Sequence, residues 1–446
     1  MTAKKTKRVA VVGAGPCGLI TTKTLSEAGH EVFCYEVSDT VGGHWKIDNK
    51  SGKSAAYESL TTNTNKQMSR LRDYEMPVEW PDLPTHELMY EWWTGYVEKF
   101  SLAGQLYLEH EVMKVDSLSA GWRLSVNHGD KTTQLEFDAV VAASGNYWDP
   151  KLPAFLSDYT GDWIHAQQYR SPERPSSLTG KKVLVVGSGN TGCEIALELS
   201  RDTSIEVHLA ARSGNWILPK YIDGPEGRVH IAAKAPLSHP LDPVPAVVRL
   251  IPEKVRTHLF NRIAKQAFAK QFGVYADRLT TAGMPPPPTN PLEKRPAVAD
   301  GLAEALEAGA ITAKPGISSA QGKTLMFSDA QSDQYDMVIC ATGYHLTYPY
   351  LDQAVLDTQG DDMRLFRGLM HPRHHSLFVV GVSRPTGGFW PVAEAQAEFI
   401  GQLLSGCYQL PSQARIDAAT EPVLKRDSFN PALYGLALQQ ELAKRS

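Results

Sequence analysis

Two glycine-rich turns of the form GxGxxG, each fed by a short apolar strand, constrain this chain more than anything else in it. The first lies in RVAVVGAGPCGLITTKTLSEAGHEVFCYE and the second in KKVLVVGSGNTGCEIALELSRDTSIEVHLAARSG. Each stretch reads as strand, turn, helix, strand. Val9–Val12 and Val183–Val186 are continuous apolar, valine-rich runs suited to a strand buried on both faces, and the helices run to about Ala28 and Leu199. The three glycines of such a turn do different things. The first makes the tight turn, the second lets backbone approach a pyrophosphate, and the third lets the helix pack closely on the strand. Gly13, Gly15 and Gly18 take these places in the first turn, and Gly187, Gly189 and Gly192 in the second. The expected fold class is therefore α/β, with two Rossmann-like dinucleotide-binding domains.

The ends of the second strands separate the two nucleotides. Val32–Tyr35 runs into Glu36, whose carboxylate suits ribose hydroxyls and repels a 2′-phosphate, so the first turn is expected to take FAD or NAD. Ile205–Leu209 runs instead into Ala210, Ala211, Arg212 and Ser213. With no carboxylate there and a guanidinium able to pair with a phosphate, NADPH is preferred over NADH; Lys220 is a weaker candidate for the same role. The glycine pair of VGGHW, with Gly43 followed by Trp45, offers a further close backbone approach to the first nucleotide. A flavin dinucleotide and a nicotinamide dinucleotide in one chain imply hydride transfer from NADPH to FAD.

Composition narrows the reaction. At 446 residues the chain has room for two or three domains, and a net charge of −4 gives no positive field for nucleic acid. The cysteines, Cys17, Cys34, Cys193, Cys340 and Cys407, are scattered and form no CxxC. That excludes a flavin–dithiol relay and fits a reducing compartment. KKTKR followed by Val9–Ile20 imitates a secretory signal, but Gly13, Gly15, Pro16 and Gly18 interrupt it. No apolar run reaches the roughly 18 residues of a membrane span, so a cytoplasmic protein without membrane contact is expected. No metal site is expected.

YTGDWIHAQQYR, just ahead of the second turn, carries a resemblance. Tyr159, Gly161, His165 and Tyr169 match the F-x-G-x-x-x-H-x-x-x-(Y/F) fingerprint of the class B flavin-dependent monooxygenases, with Tyr in place of the usual Phe. The Baeyer–Villiger branch usually ends this motif with Trp followed by Pro or Asp; Tyr169 and Arg170 look more like the flavin-containing monooxygenases. YESLTTNTNKQM resembles the segment in which that family places an asparagine beside the flavin, here Asn63. ICATGY and LFVVGVSRPTGGFWPVAEAQAE are similar to later family segments, and 221–296 matches least.

The resemblance implies an FAD-dependent NADPH monooxygenase. Reduced flavin would react with O2 to a C4a-hydroperoxide, NADP⁺ would stay bound to shield it, and an amine nitrogen or sulfide would take the distal oxygen. Water must be excluded for that chemistry. Asn63 would stand near the reacting oxygen, against the alternative of a turn-capping asparagine. His165 and Tyr169 would communicate NADPH binding, against the alternative of hydrogen-bonded structural groups. Baeyer–Villiger oxygenation of ketones and an uncoupled NADPH oxidase remain rival readings. The expected organisation is an FAD domain in two parts, 1–165 and 327–446, with an NADP domain at 166–326 inserted between them. Within the insertion a helical pattern at Val247–Phe272 precedes MPPPPTNP, a Pro-rich turn that either covers the site entrance or forms a surface excursion. Met326 closes the NADP fold, DMVICATGY returns to the flavin domain, Met89–Phe100 is an aromatic core stripe, and Val392–Leu404 is a helix with Glu394 near its positive end. The polar stretch from Ser412 onward reads as surface helices. A homodimer is the assembly considered.

Overall fold

A computed structural model describes residues 6–224, 227–230, 239–240, 242–357, 363–423 and 429–444. Two parallel five-stranded sheets organise them. In the first, the order is Leu377–Val379, Ala139–Ala142, Arg8–Val12, Glu31–Tyr35, Leu106–Tyr107. In the second it is Ile311–Pro315, Glu206–Ala211, Lys182–Val186, Met337–Cys340, Trp163–His165.

The two sheets are built by one plan. After the strand–turn–helix–strand unit and a third strand, the chain makes an antiparallel meander and then re-enters the sheet beside the first strand. The meanders are Glu111–Ser117, Trp122–His128, Lys131–Phe137 and, in the second unit, Ile317–Gln321, Thr324–Phe327, Ser332–Gln334. The apolar runs fit because both faces of each sheet are covered. Val9 and Val11 pack with Leu19, Ile20 and Phe399 under the Pro16–Glu27 and Phe389–Leu404 helices, whereas Ala10 and Val12 pack with Trp122 and Leu124 of the meander. Val183 and Val185 likewise face the Asn190–Leu199 helix, and Leu184 faces Phe327 and Tyr335.

The aromatic stripe of the His86–Lys99 helix is core. Met89, Trp92, Trp93 and Tyr96 are buried, and Trp93 packs on Trp390 at 5.2 Å between ring centroids. Truncating such a side chain costs about 3–5 kcal/mol.

Three expectations change. Met337–Cys340 does not return to the first sheet: it pairs with Lys182–Val186 on one side and Trp163–His165 on the other. Trp163–His165, placed before a boundary at 165, lies in that second sheet too, and the chain regains the first sheet only at Leu377–Val379. The C-terminal helix, Pro431–Leu442, is not a surface element, because Ala432, Leu433, Leu436 and Leu438 are buried; residues 424–428 of the stretch before it lie outside those described.

The poorly matching segment forms a long helix, Glu253–Thr281. One end meets the C-terminal helix, where Arg256 donates to Gln440, and the other packs Phe272 on Trp216 and Leu218 of the second unit. Among the described residues no helix is long and apolar enough to cross a membrane.

Candidate nucleotide and oxygenation site

Both glycine turns close onto the end of the strand that re-enters beside the first, Ala139–Ala142 in one sheet and Met337–Cys340 in the other. Gly13, at φ +106°, donates its N–H to the Tyr35 carbonyl, and a Cβ on it would lie 2.7 Å from the Ala143 carbonyl oxygen. Gly187, at φ +121°, donates to Ala210 and would strike the Ala341 carbonyl oxygen at 2.4 Å. A Cβ on Gly18 would stand 1.7 Å from the Gly13 carbonyl oxygen, and one on Gly192 would stand 1.8 Å from that of Gly187. Only glycine lets these helices start so close to their strands. Both helices leave their first backbone N–H groups without a side-chain cap, the arrangement that receives a phosphate. Gly189 has open space where its side chain would be.

Gly15 faces the VGGHW loop. A Cβ on Gly43 would lie 3.2 Å from the Gly15 α-carbon, and Gly42 donates to the Ala14 carbonyl. Two backbones therefore meet with no side chain between them. Trp45 is buried at the end of this loop, with its indole N–H unpartnered. Glu36 is buried as well. Its two carboxylate oxygens accept from the Ala14 and Ser38 N–H groups at 2.7 and 2.8 Å, so it ties the turn to the strand end and keeps further lone pairs. Burial pushes its carboxyl upward against those donors.

At the corresponding end of the second unit, Ala210 and Ala211 complete the Glu206–Ala211 strand, and Arg212 and Ser213 follow it, both exposed. Lys294 donates to Ser213 Oγ at 3.1 Å, which brings a second cation to the strand end. The Pro-rich turn seats on the same corner: Trp216 Nε1 donates to the Pro288 carbonyl, and a Cβ on Gly214 would meet the Pro286 carbonyl oxygen at 1.8 Å. Lys220 is committed elsewhere, to Glu194 and Thr61, each at 2.9 Å.

The fingerprint residues bond within the second unit, and Arg170 links them to the first. His165 is buried, accepts at Nδ1 from the Gln167 N–H, and so carries its proton on Nε2, which donates to the Gly343 carbonyl at 3.1 Å. Burial lowers its pKa, against the Gly343 carbonyl that favours the charged form. Tyr169, fully buried, donates to Glu198 Oε2 at 2.8 Å. Gly161 makes room for the Tyr159 ring, since a Cβ there would lie 2.3 Å from the Tyr159 hydroxyl oxygen. Arg170 bonds Asp48 at 2.7 Å, fastening the fingerprint to the loop beyond Trp45.

Asn63 does not cap a helix. Asn65 does so, accepting from the Met68 N–H, while the buried Asn63 Oδ1 has no partner. Glu394 is not at its helix's positive end either. The helix begins at Phe389, and Glu394 reaches back from its second turn to the Arg72 N–H at 3.3 and 3.4 Å.

A protein with two such turns, one ending in a buried glutamate and the other in exposed cations, is an oxidoreductase of the two-dinucleotide class. Residues 6–437 match the model of the flavin-binding monooxygenase-like family, and the chain belongs to that family. Its cofactors are FAD and NADPH. It is 27% identical over 98% of its length to human flavin-containing monooxygenase 2, covering 80% of that protein, and 29% identical over 91% to dog flavin-containing monooxygenase 3, covering 75%. Its fold resembles S-allyl-L-cysteine S-oxygenase from Allium sativum, with a TM-score of 0.68, 19% identity, and 99% and 90% of the two chains covered. Cyclohexanone monooxygenase from Rhodococcus sp. Phi1, solved with NADP⁺, gives a TM-score of 0.68 at 17% identity, with 99% and 98% covered.

Proposed function

We propose that this flavin monooxygenase oxygenates a soft nucleophile, an amine nitrogen or a sulfide, consuming one NADPH, one proton and one O2 and releasing NADP⁺, water and the oxygenated product. FAD supplies the hydride acceptor and the oxygen-activating ring. The chain's own residues bind, orient and exclude water. Gly13, Gly15, Gly18 and Gly43 form the pyrophosphate cradle for FAD, Glu36 receives its ribose, and Trp45 closes that side. Gly187, Gly189 and Gly192 hold the NADPH pyrophosphate, with Arg212, Ser213 and Lys294 at the 2′-phosphate. His165 and Tyr169 fix the fingerprint strand within the NADP unit, and Arg170 ties it to the FAD unit at Asp48.

The observation that carries the reading is the buried, unpartnered Asn63 Oδ1. A buried amide oxygen without a donor is costly, and a bound group that brings one offsets the cost. Asn63 would accept from, and orient, the group bound beside it. The N-oxide-forming mammalian relatives and the garlic S-oxygenase support the substrate class. The four buried, separate cysteines support a reducing, cytoplasmic setting.

The comparable likeness to cyclohexanone monooxygenase keeps one rival, ketone oxygenation. Purified FAD-loaded protein, given NADPH and isotopically labelled O2 with a tertiary amine, a thioether or a cyclic ketone, separates the two. N-oxide or sulfoxide carrying the label is expected. Label in a lactone, or only peroxide with every substrate, refutes the proposal.

A further inference from the structure

Helix Asn190–Leu199, whose N-terminus forms the second glycine turn, meets the Asn63 segment through a partly buried polar seam. Glu194 Oε2 accepts from the Tyr57 hydroxyl, and its Oε1 lies 2.9 Å from Lys220 Nζ. Lys220 in turn donates to Thr61 Oγ1 at 2.9 Å, two residues before Asn63. One turn further along the helix, Glu198 accepts from Tyr169. Tyr57 is buried and packs on the Tyr169 ring at 6.2 Å. The Glu194 and Lys220 side chains are only 12% and 16% exposed, so this ion pair is poorly screened by water.

We propose that Glu194, Lys220 and Tyr57 are positioning residues that make the placement of Asn63 depend on the nucleotide held at the second turn. The inference rests on the functional reading above, which assigns NADP(H) to that turn and the oxygen site to Asn63. A nucleotide drawing on the helix N-terminus is transmitted rigidly along the helix. Glu194, on the helix's second turn, passes the displacement to Tyr57 and, through Lys220, to Thr61. The coupling is a free energy between two sites and acts in both directions.

The test uses FAD-loaded protein and three quantities: the fraction of NADPH electrons released as H2O2, the change in the bound flavin's absorption on adding NADP⁺, and FAD content. Lys220→Met is expected to raise the peroxide fraction about fivefold or more and to shrink the NADP⁺-induced spectral change, with FAD content retained. Lys220→Arg is expected to restore much of both. Tyr57→Phe, which keeps the ring and removes only the hydroxyl, should act in the same direction and stands in if Lys220→Met does not fold. Loss of FAD or of thermal stability with an unchanged peroxide fraction would mean that the seam is only structural, and overturns the proposal. A wild type that makes no oxygenated product overturns the functional reading and this inference together; a coupled wild type with unaffected variants overturns this inference alone.

Discussion

Gly192 stands so near Gly187 that a single methyl on its α-carbon would lie 1.8 Å from the Gly187 carbonyl oxygen. Gly18 repeats the relation with Gly13 at 1.7 Å. The two contacts sit in different sheets, so they can be broken separately. Gly192→Ala should abolish saturable NADP⁺ binding while FAD remains bound, and Gly18→Ala should yield protein without FAD. Absorbance at the flavin band and NADP⁺ titration read both. NADP⁺ binding at wild-type strength in Gly192→Ala would contradict the assignment of the second turn.

Arg212 and Lys294 approach one strand end from distant parts of the chain, and among the described residues Arg212 makes no ion pair. If they receive a 2′-phosphate, Arg212→Ala and Lys294→Met each raise the KM for NADPH far more than that for NADH. The expected loss in kcat/KM for NADPH is about ten- to a hundredfold for each, from charge-assisted bonds of about 1.5–3 kcal/mol. Equal effects on the two nucleotides would remove the role from whichever residue shows them.

Asn63 and Asn65 lie two residues apart and do different work. Asn65→Ala removes a helix cap and should lower stability by about 1 kcal/mol with little effect on turnover. Asn63→Ala removes an amide whose oxygen has no partner in the protein, so stability should hold or rise. Oxygenation should instead fall and peroxide rise. Thermal melts beside oxygen and peroxide assays discriminate the two, and the same phenotype for both would deny Asn63 a special place.

Much of this is legible in the sequence because the informative contacts are local. Gly13 to Glu36 and Gly187 to Arg212 span one strand–turn–helix–strand unit each, and periodicity with glycine placement specifies such a unit. What the sequence conceals is non-local. Lys294 reaches Ser213 only because the Pro-rich turn folds back on Gly214 and Trp216, and no spacing announces that. The apolar run Met337–Cys340 looks the same whichever sheet it joins, since strand pairing partners are not written in a strand's own residues. Glu194 and Glu198, at i and i+4 just past the second turn, form a visible polar helix stripe, but their partners Tyr57 and Tyr169 lie in other segments. The C-terminal helix is hard to place from its residues because ALYGLALQQEL is apolar nearly all round and carries no clear amphipathic face. A Phe389–Leu404 helix begun three residues late, at Val392, puts Glu394 in its first turn, where the structure does not have it.

The true place of Glu394, in the second turn, gives it a pH signature. Its carboxyl is buried, and burial, with Glu398 nearby, pushes its pKa up to about 7; the Arg72 N–H and the Arg72 and Lys23 charges oppose the rise. The ordinary value is 4.5, so between about 4.5 and 7 the folded protein holds a proton that the unfolded chain has released. Stability from this group is therefore full below that window and is lost as pH rises through it, by about 3 kcal/mol at most. Glu394→Gln keeps an acceptor for the Arg72 N–H but cannot ionise. Its melting temperature should equal or fall slightly below that of the wild type at pH 5 and exceed it at pH 8. The variant-minus-wild-type difference across this range isolates Glu394 from the other titrating groups. A difference that stays constant with pH would show that Glu394 is already ionised at little cost, held by Arg72 rather than strained by burial.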